Sequence, residues 1–121
     1  MAKRTALLIR CSVDEAAQIR NLARNENRTI SGYVLNIMER TLRIEDRLAA
    51  RMLAFGGLNL TLLRTPLRAP GPRTAILVRC YVDQADRIRA SAARRDTTIS
   101  AFVLHSLRLA WNAVHGRPAP P

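Results

Sequence analysis

A chain of 121 residues carries 20 basic residues against 9 acidic ones, a net charge of +11. All but Lys3 of the basic residues are Arg, whose planar fork suits phosphate and guanine, so a polyanionic partner is expected. Two cysteines exclude a disulfide framework, no apolar run approaches a membrane span, and Arg10 ends the first apolar run too early for a secretion signal; a cytoplasmic protein with reduced thiols is expected.

One segment occurs twice. Thr5 to Leu42 aligns without a gap to Thr74 to Trp111, at a shift of 69 residues (74 minus 5). Roughly four positions in ten are identical, and most other apolar positions stay apolar. A unit of about 40 residues buries too little apolar surface to be stable alone, so the two copies are expected to fold against each other as one domain.

Each copy opens on a strand. Thr5, Leu7, Ile9 and Cys11 form one face and Arg4, Ala6, Leu8 and Arg10 the other. In the second copy Thr74, Ile76, Val78 and Cys80 oppose Arg73, Ala75, Leu77 and Arg79. The Thr/Leu/Ile/Cys face reads as core. Ser12-Val-Asp-Glu15 then has the pattern of a capping box; Tyr81-Val-Asp-Gln84 lacks the serine. Ala16, Ile19, Leu22 and Ala23 follow at helical spacing. Asn27 and Asp96 suit a left-handed residue ending that helix, and Thr29 and Thr98 suit the N-caps of a second. The second helix is expected to bury Ile30, Tyr33, Val34, Ile37 and Met38, or Ile99, Phe102, Val103, Leu107 and Trp111.

A lone strand leaves backbone groups unpaired, and the obvious partner is the strand of the other copy. The expected fold is mainly α: a two-stranded antiparallel ribbon plus four helices.

Between the copies, Arg43 through about Ala54 is able to extend the second helix, with Leu48, Met52 and Phe55 apolar. Gly56-Gly57 ends that, Leu58 to Arg64 is a short strand or a packed loop, and Pro66, Pro70, Gly71 and Pro72 break structure. The expected organisation is a first copy over 1–46, a linker over 47–72, a second copy over 73–114 and a disordered Pro-rich tail over 115–121. Cys11 and Cys80 read as small core residues. His105 and His115 read as exposed, with no second metal ligand spaced near them. Ser31 and Ser100 are helix-start residues rather than nucleophiles. The chain has no phosphate-binding Gly loop and no catalytic carboxylate pair, so no enzyme, cofactor or metal is expected.

Strand, acid-capped helix, polar turn and Thr-Ile-Ser opening a second helix resemble the ribbon-helix-helix family of bacterial DNA-binding proteins, the Arc, MetJ and CopG type. The resemblance covers both copies and implies a single-chain pseudodimer whose ribbon enters the major groove. In the family the middle outward position of each strand lies at the twofold axis, so the resemblance implies a ribbon centred on Leu8 and Leu77, with antiparallel partner numbers summing to 85. That register sets Cys11 and Cys80 at opposite ends of the ribbon, about 20 Å apart and beyond disulfide reach. Carried over by position, it implies base contacts from Ala6, Leu8, Arg10, Ala75, Leu77 and Arg79. Only the arginines among these are polar, where the family commonly has three polar residues. It implies phosphate contacts from the starts of the second helices, Thr29, Ile30 and Ser31, and Thr98, Ile99 and Ser100. Arg4 and Arg73 extend the same face and are expected on phosphates. A nucleoid-associated transcriptional repressor is the implied function, with pseudodimers associating side by side on DNA. The alternatives are an antitoxin, a plasmid-mobilisation accessory protein with a protein partner on the apolar linker, or an interaction module that has lost DNA binding. The short tail weighs against an antitoxin.

Overall fold

A computed structural model describes residues 3–54 and 71–115. In chain order these form β1 (Arg4–Ser12), α1 (Val13–Asn25), α2 (Ile30–Ala54), β2 (Arg73–Tyr81), α3 (Val82–Arg94) and α4 (Ile99–His115). The described residues are mainly helical, and β1 and β2 pair as a two-stranded antiparallel sheet.

Strict alternation explains why the two strands form and which way they face. Leu7, Ile9 and Cys11 are buried, as are Ile76, Val78 and Cys80, while Leu8, Arg10, Leu77 and Arg79 point to solvent. The register is the one centred on the leucines: Leu8 faces Leu77, Arg10 faces Ala75, Ala6 faces Arg79, Cys11 faces Thr74 and Thr5 faces Cys80. Both ends continue it, because Val13 N–H donates to the Pro72 carbonyl and Val82 N–H to the Lys3 carbonyl, each at 3.0 Å. A slip of one residue turns the apolar row outward and buries the arginines, so this pairing is strongly preferred.

Local chemistry sets the helix ends. Ser12 Oγ accepts from Glu15 N–H at 3.0 Å, and the Glu15 carboxylate accepts from Ser12 N–H at 2.9 Å, a complete capping box. The second copy keeps half of it: Gln84 Oε1 accepts from Tyr81 N–H at 2.8 Å. Asn27 and Asp96 take left-handed backbone, at φ 58 and 54 degrees, which short polar side chains tolerate best after glycine. Thr29 Oγ1 then accepts from Gly32 N–H at 3.0 Å, and Thr98 Oγ1 from Ala101 N–H at 3.1 Å.

Beneath the ribbon lies one core. Ala16, Ile19 and Ala23 of α1 and Ala85, Ile88 and Ala92 of α3 meet Tyr33, Val34, Ile37, Met38 and Leu42 of α2 and Phe102, Val103 and Leu107 of α4. Each large side chain buried there contributes about 1.5–3 kcal/mol. Ile30, Ile99 and Trp111 are only partly buried, whereas all were expected in the core. Cys11 and Cys80 are buried free thiols, and burial pushes both above the usual thiol range; Glu15 adds to the effect at Cys11. Both therefore stay protonated and unreactive in the fold. His105, expected to be exposed, is half-buried on α4. Burial, then the charges of Arg95 and Arg108, lower its pKa.

Among the described residues, charge pairs join helices of different copies. The Glu15 carboxylate of α1, only 8% exposed, takes Arg108 of α4 at 2.5 Å, and Glu39 of α2 takes Arg87 of α3 at 3.2 Å. Under the 69-residue shift Glu39 corresponds to Arg108 (39 plus 69), and Glu15 to Gln84 (15 plus 69). Pairing the first copy with another first copy would set Glu39 near Glu15; pairing two second copies would set Arg108 near Arg87. The charges are complementary only between unlike copies.

Helix α2 runs through Ala54, so 47–54 extends the helix as the spacing allowed. Helix α4 ends at His115, one residue inside the segment expected to be a disordered tail. The readings for 55–70 and 116–121, and for the Leu48 and Met52 side chains, fall outside the described residues. Arg108→Ala leaves the buried Glu15 carboxylate without its cation and is expected to lower unfolding free energy by about 1–2 kcal/mol in urea titration. Arg43→Ala, an exposed replacement at the next turn of α2 from Glu39, serves as the control and is expected to change it by less than about 0.5 kcal/mol.

Candidate nucleic-acid interface

The ribbon's outward face is built from six side chains. Leu8 and Leu77 lie opposite each other at its centre, 54% and 49% exposed. Arg10 and Arg79 flank them diagonally, each opposite an alanine: Arg10 across from Ala75, Arg79 across from Ala6. An alanine opposite removes both the bulk and the like charge that would hold a guanidinium back. Both arginines are exposed and both alanines half-buried. All six positions expected from the resemblance to make base contacts thus share one surface, on the side away from the core.

The second helices hold this surface from its edges. Ser31 at the start of α2 accepts from the backbone N–H of Arg79 at 2.9 Å and donates to the Leu77 carbonyl at 3.5 Å. Ser100 at the start of α4 accepts from the backbone N–H of Arg10 at 2.8 Å. Each serine belongs to one copy and braces the strand of the other. A two-stranded ribbon has two open edges, and these hydroxyls cover one backbone group or more on each. The two serine side chains are therefore engaged with the strands. Their backbone amides are a separate matter. Thr29 satisfies the amides of Gly32 and Tyr33. Among the described residues no hydrogen bond takes the amides of Ile30 and Ser31, or those of Ile99 and Ser100. These are the donors that a helix start presents to an anion.

The two ends of the ribbon are unlike. At one end Arg4 lies across from Tyr81, its Nη2 donating to the phenol at 3.4 Å and its guanidinium 5.1 Å from the ring centre. At the other end Ser12 lies across from Arg73. Beside the start of α2, Arg4, Thr29, Ser31, Gly32, Arg79 and Tyr81 line an open cleft of about 530 Å³. The strand arginines and the helix-start amides thereby meet in one place, although they come from distant parts of the chain. Tyr81 was not singled out from the sequence. Its signal was its place at the strand end opposite Arg4 in the register already deduced.

Among the described residues no group of three or more His, Cys, Asp or Glu side chains is placed to hold a metal ion, and no helix is long and apolar enough to cross a membrane. No protein-family model, curated protein or solved structure matches the chain.

Because Ser31 and Ser100 fix the arginine backbones, Ser31→Ala and Ser100→Ala are each expected to cost about 1 kcal/mol of stability. Amide hydrogen exchange is expected to speed up at Arg79 in the first variant and at Arg10 in the second. Unchanged exchange at those amides would show that the hydroxyls do not protect them.

Proposed function

We propose that this chain binds double-stranded DNA by laying the outward face of its ribbon in the major groove, and that it acts as a transcriptional repressor. The observation that supports this most is the pair of exposed arginines, Arg10 and Arg79, mirrored on the side of the ribbon opposite the core. A two-stranded ribbon is the right width for the major groove. Each guanidinium can donate two parallel hydrogen bonds to the O6 and N7 of a guanine, and Leu8 and Leu77 can meet thymine methyls. Ala6 and Ala75 allow close approach. Arg4, Arg73 and the first-turn amides of Ile30, Ser31, Ile99 and Ser100 suit the flanking phosphates, with Thr29 and Thr98 ordering those turns. On this reading the chain is a ribbon-helix-helix protein whose two copies form a single-chain pseudodimer. It works at the nucleoid without catalysis, and the net charge of +11 draws it to DNA.

A second reading, a protein-interaction module, draws on the exposed leucine pair at the centre of the face. An apolar centre is also what a protein partner would cover. The two readings respond differently to substitution. For DNA binding, Arg10→Ala with Arg79→Ala is expected to abolish sequence preference in a gel-shift assay and to cost about 1–3 kcal/mol per arginine. Arg4→Ala is expected to weaken all duplexes alike and to lower the salt slope by about one. If the double arginine replacement leaves duplex binding intact, the ribbon is not the reading element.

A further inference from the structure

Contacts between the copies repeat under the 69-residue shift. Ser31 on the Arg79 amide has its mate in Ser100 on the Arg10 amide, and Val13 on the Pro72 carbonyl has its mate in Val82 on the Lys3 carbonyl. The contact between the first helix of one copy and the second helix of the other is also made twice, but with its charge reversed. On one side α1 supplies the acid, Glu15, and α4 the base, Arg108. On the other side α3 supplies the base, Arg87, and α2 the acid, Glu39, with Asp46 4.0 Å from the same guanidinium. Arg87 stands one turn on from Gln84, the counterpart of Glu15, and its own counterpart is the uncharged Gln18. The strands carry no such difference. Were one first copy to meet another, Leu8 would face Leu8 and Arg10 would face Ala6, which repeats the present pairing of Leu8 with Leu77 and Arg10 with Ala75.

We infer that Glu39 and Arg108 are the pairing code of this interface: through them each copy accepts an unlike copy and refuses a like one, including the like copy of a second chain. Strand pairing does not discriminate, so the choice falls to the helix charges. A pair of first copies would bring Glu39 against Glu15 at both contacts, and a pair of second copies would bring Arg108 against Arg87 at both. Glu15 is only 8% exposed, so a second carboxylate beside it would be poorly screened by solvent. Like charges placed against the wrong partner are an effective way to reject it, because they penalise that pairing without being needed to strengthen the right one. The need is physical, since an unpaired strand is a template for any other strand of the same kind. The inference does not depend on what the ribbon's outward face binds.

Exchanging the two charges in the full-length chain tests this. Glu39→Arg with Arg108→Glu leaves the net charge at +11. Within one chain the exchange sets Glu15 against a carboxylate and Arg87 against a guanidinium. Between two chains it gives every like pairing an acid facing a base. Sedimentation equilibrium at low salt, where charges are least screened, is expected to give one chain of 13.5 kDa for the unchanged protein and two chains for the exchanged variant. Glu39→Arg with Arg87→Glu is the control: it has the same net charge, keeps an acid–base pair within the chain, and is expected to stay a single chain with a melting temperature within a few degrees of the unchanged protein. Adding Leu8→Cys reports which copies meet. A short bis-maleimide is expected to join two chains through that position in the exchanged variant, where it faces its own counterpart, and not in the unchanged background, where it faces Leu77. An exchanged variant that stays a single chain overturns the inference, as does one that is unfolded while the control is folded. A two-chain species without the cross-link, or cross-linking in the unchanged background, overturns it as well.

Discussion

A nine-residue strand has no stable existence by itself, and among the described residues each strand has one strand partner, that of the other copy. This pairing is what the remaining structure depends on. It sets the register, and the register decides which side chains meet the helices and which meet solvent. Leu7, Ile9, Cys11, Ile76, Val78 and Cys80 close the core from above, while the alternate residues make the outward face. The second helices return the support, because Ser31 and Ser100 bond the arginine amides at the ribbon edges. Strand pairing, core burial and presentation of the arginines are therefore one arrangement seen at three scales.

Symmetry is kept in one layer and broken in another. The outward face repeats the same residues, whereas the helix-to-helix charges do not. Glu15 with Arg108 and Glu39 with Arg87 fit only when unlike copies meet. The cap follows the same division, a full box at Ser12 and Glu15 and a half box at Tyr81 and Gln84. Glu15 serves both purposes, accepting from the Ser12 amide and from Arg108. Gln84, its uncharged counterpart, keeps only the cap contact, accepting from the Tyr81 amide. The arrangement favours assembly of each copy with its unlike neighbour, and covalent linkage places that neighbour at high effective concentration.

Local and periodic features were legible in the sequence. The strand faces follow from a two-residue alternation that both copies share, and the register from the family resemblance that centres the ribbon on Leu8 and Leu77. Asn27, Asp96, Thr29 and Thr98 were legible because turn and cap chemistry acts within a few residues. The six outward positions were placed on one face for the same reason. What could not be read were contacts between distant residues. Nothing local joins Ser31 to the Arg79 amide, Arg108 to Glu15 or Tyr81 to Arg4. His105 was misplaced because a polar residue on an amphipathic helix gives no sign of being half-covered by neighbouring side chains. Trp111 was misplaced in the other sense, since its apolar bulk sits near the end of α4, where the core thins.

The central claim is that the outward face of the ribbon meets duplex DNA. Nuclear magnetic resonance of the labelled chain, titrated with duplex DNA, tests it at the residues themselves. The largest shifts are predicted at the Leu8 and Leu77 methyls and at the Arg10 and Arg79 side-chain groups, with the buried Phe102 and Met38 nearly still. Shifts confined to the far ends of α2 and α4, with the ribbon signals unmoved at saturation, would contradict the account.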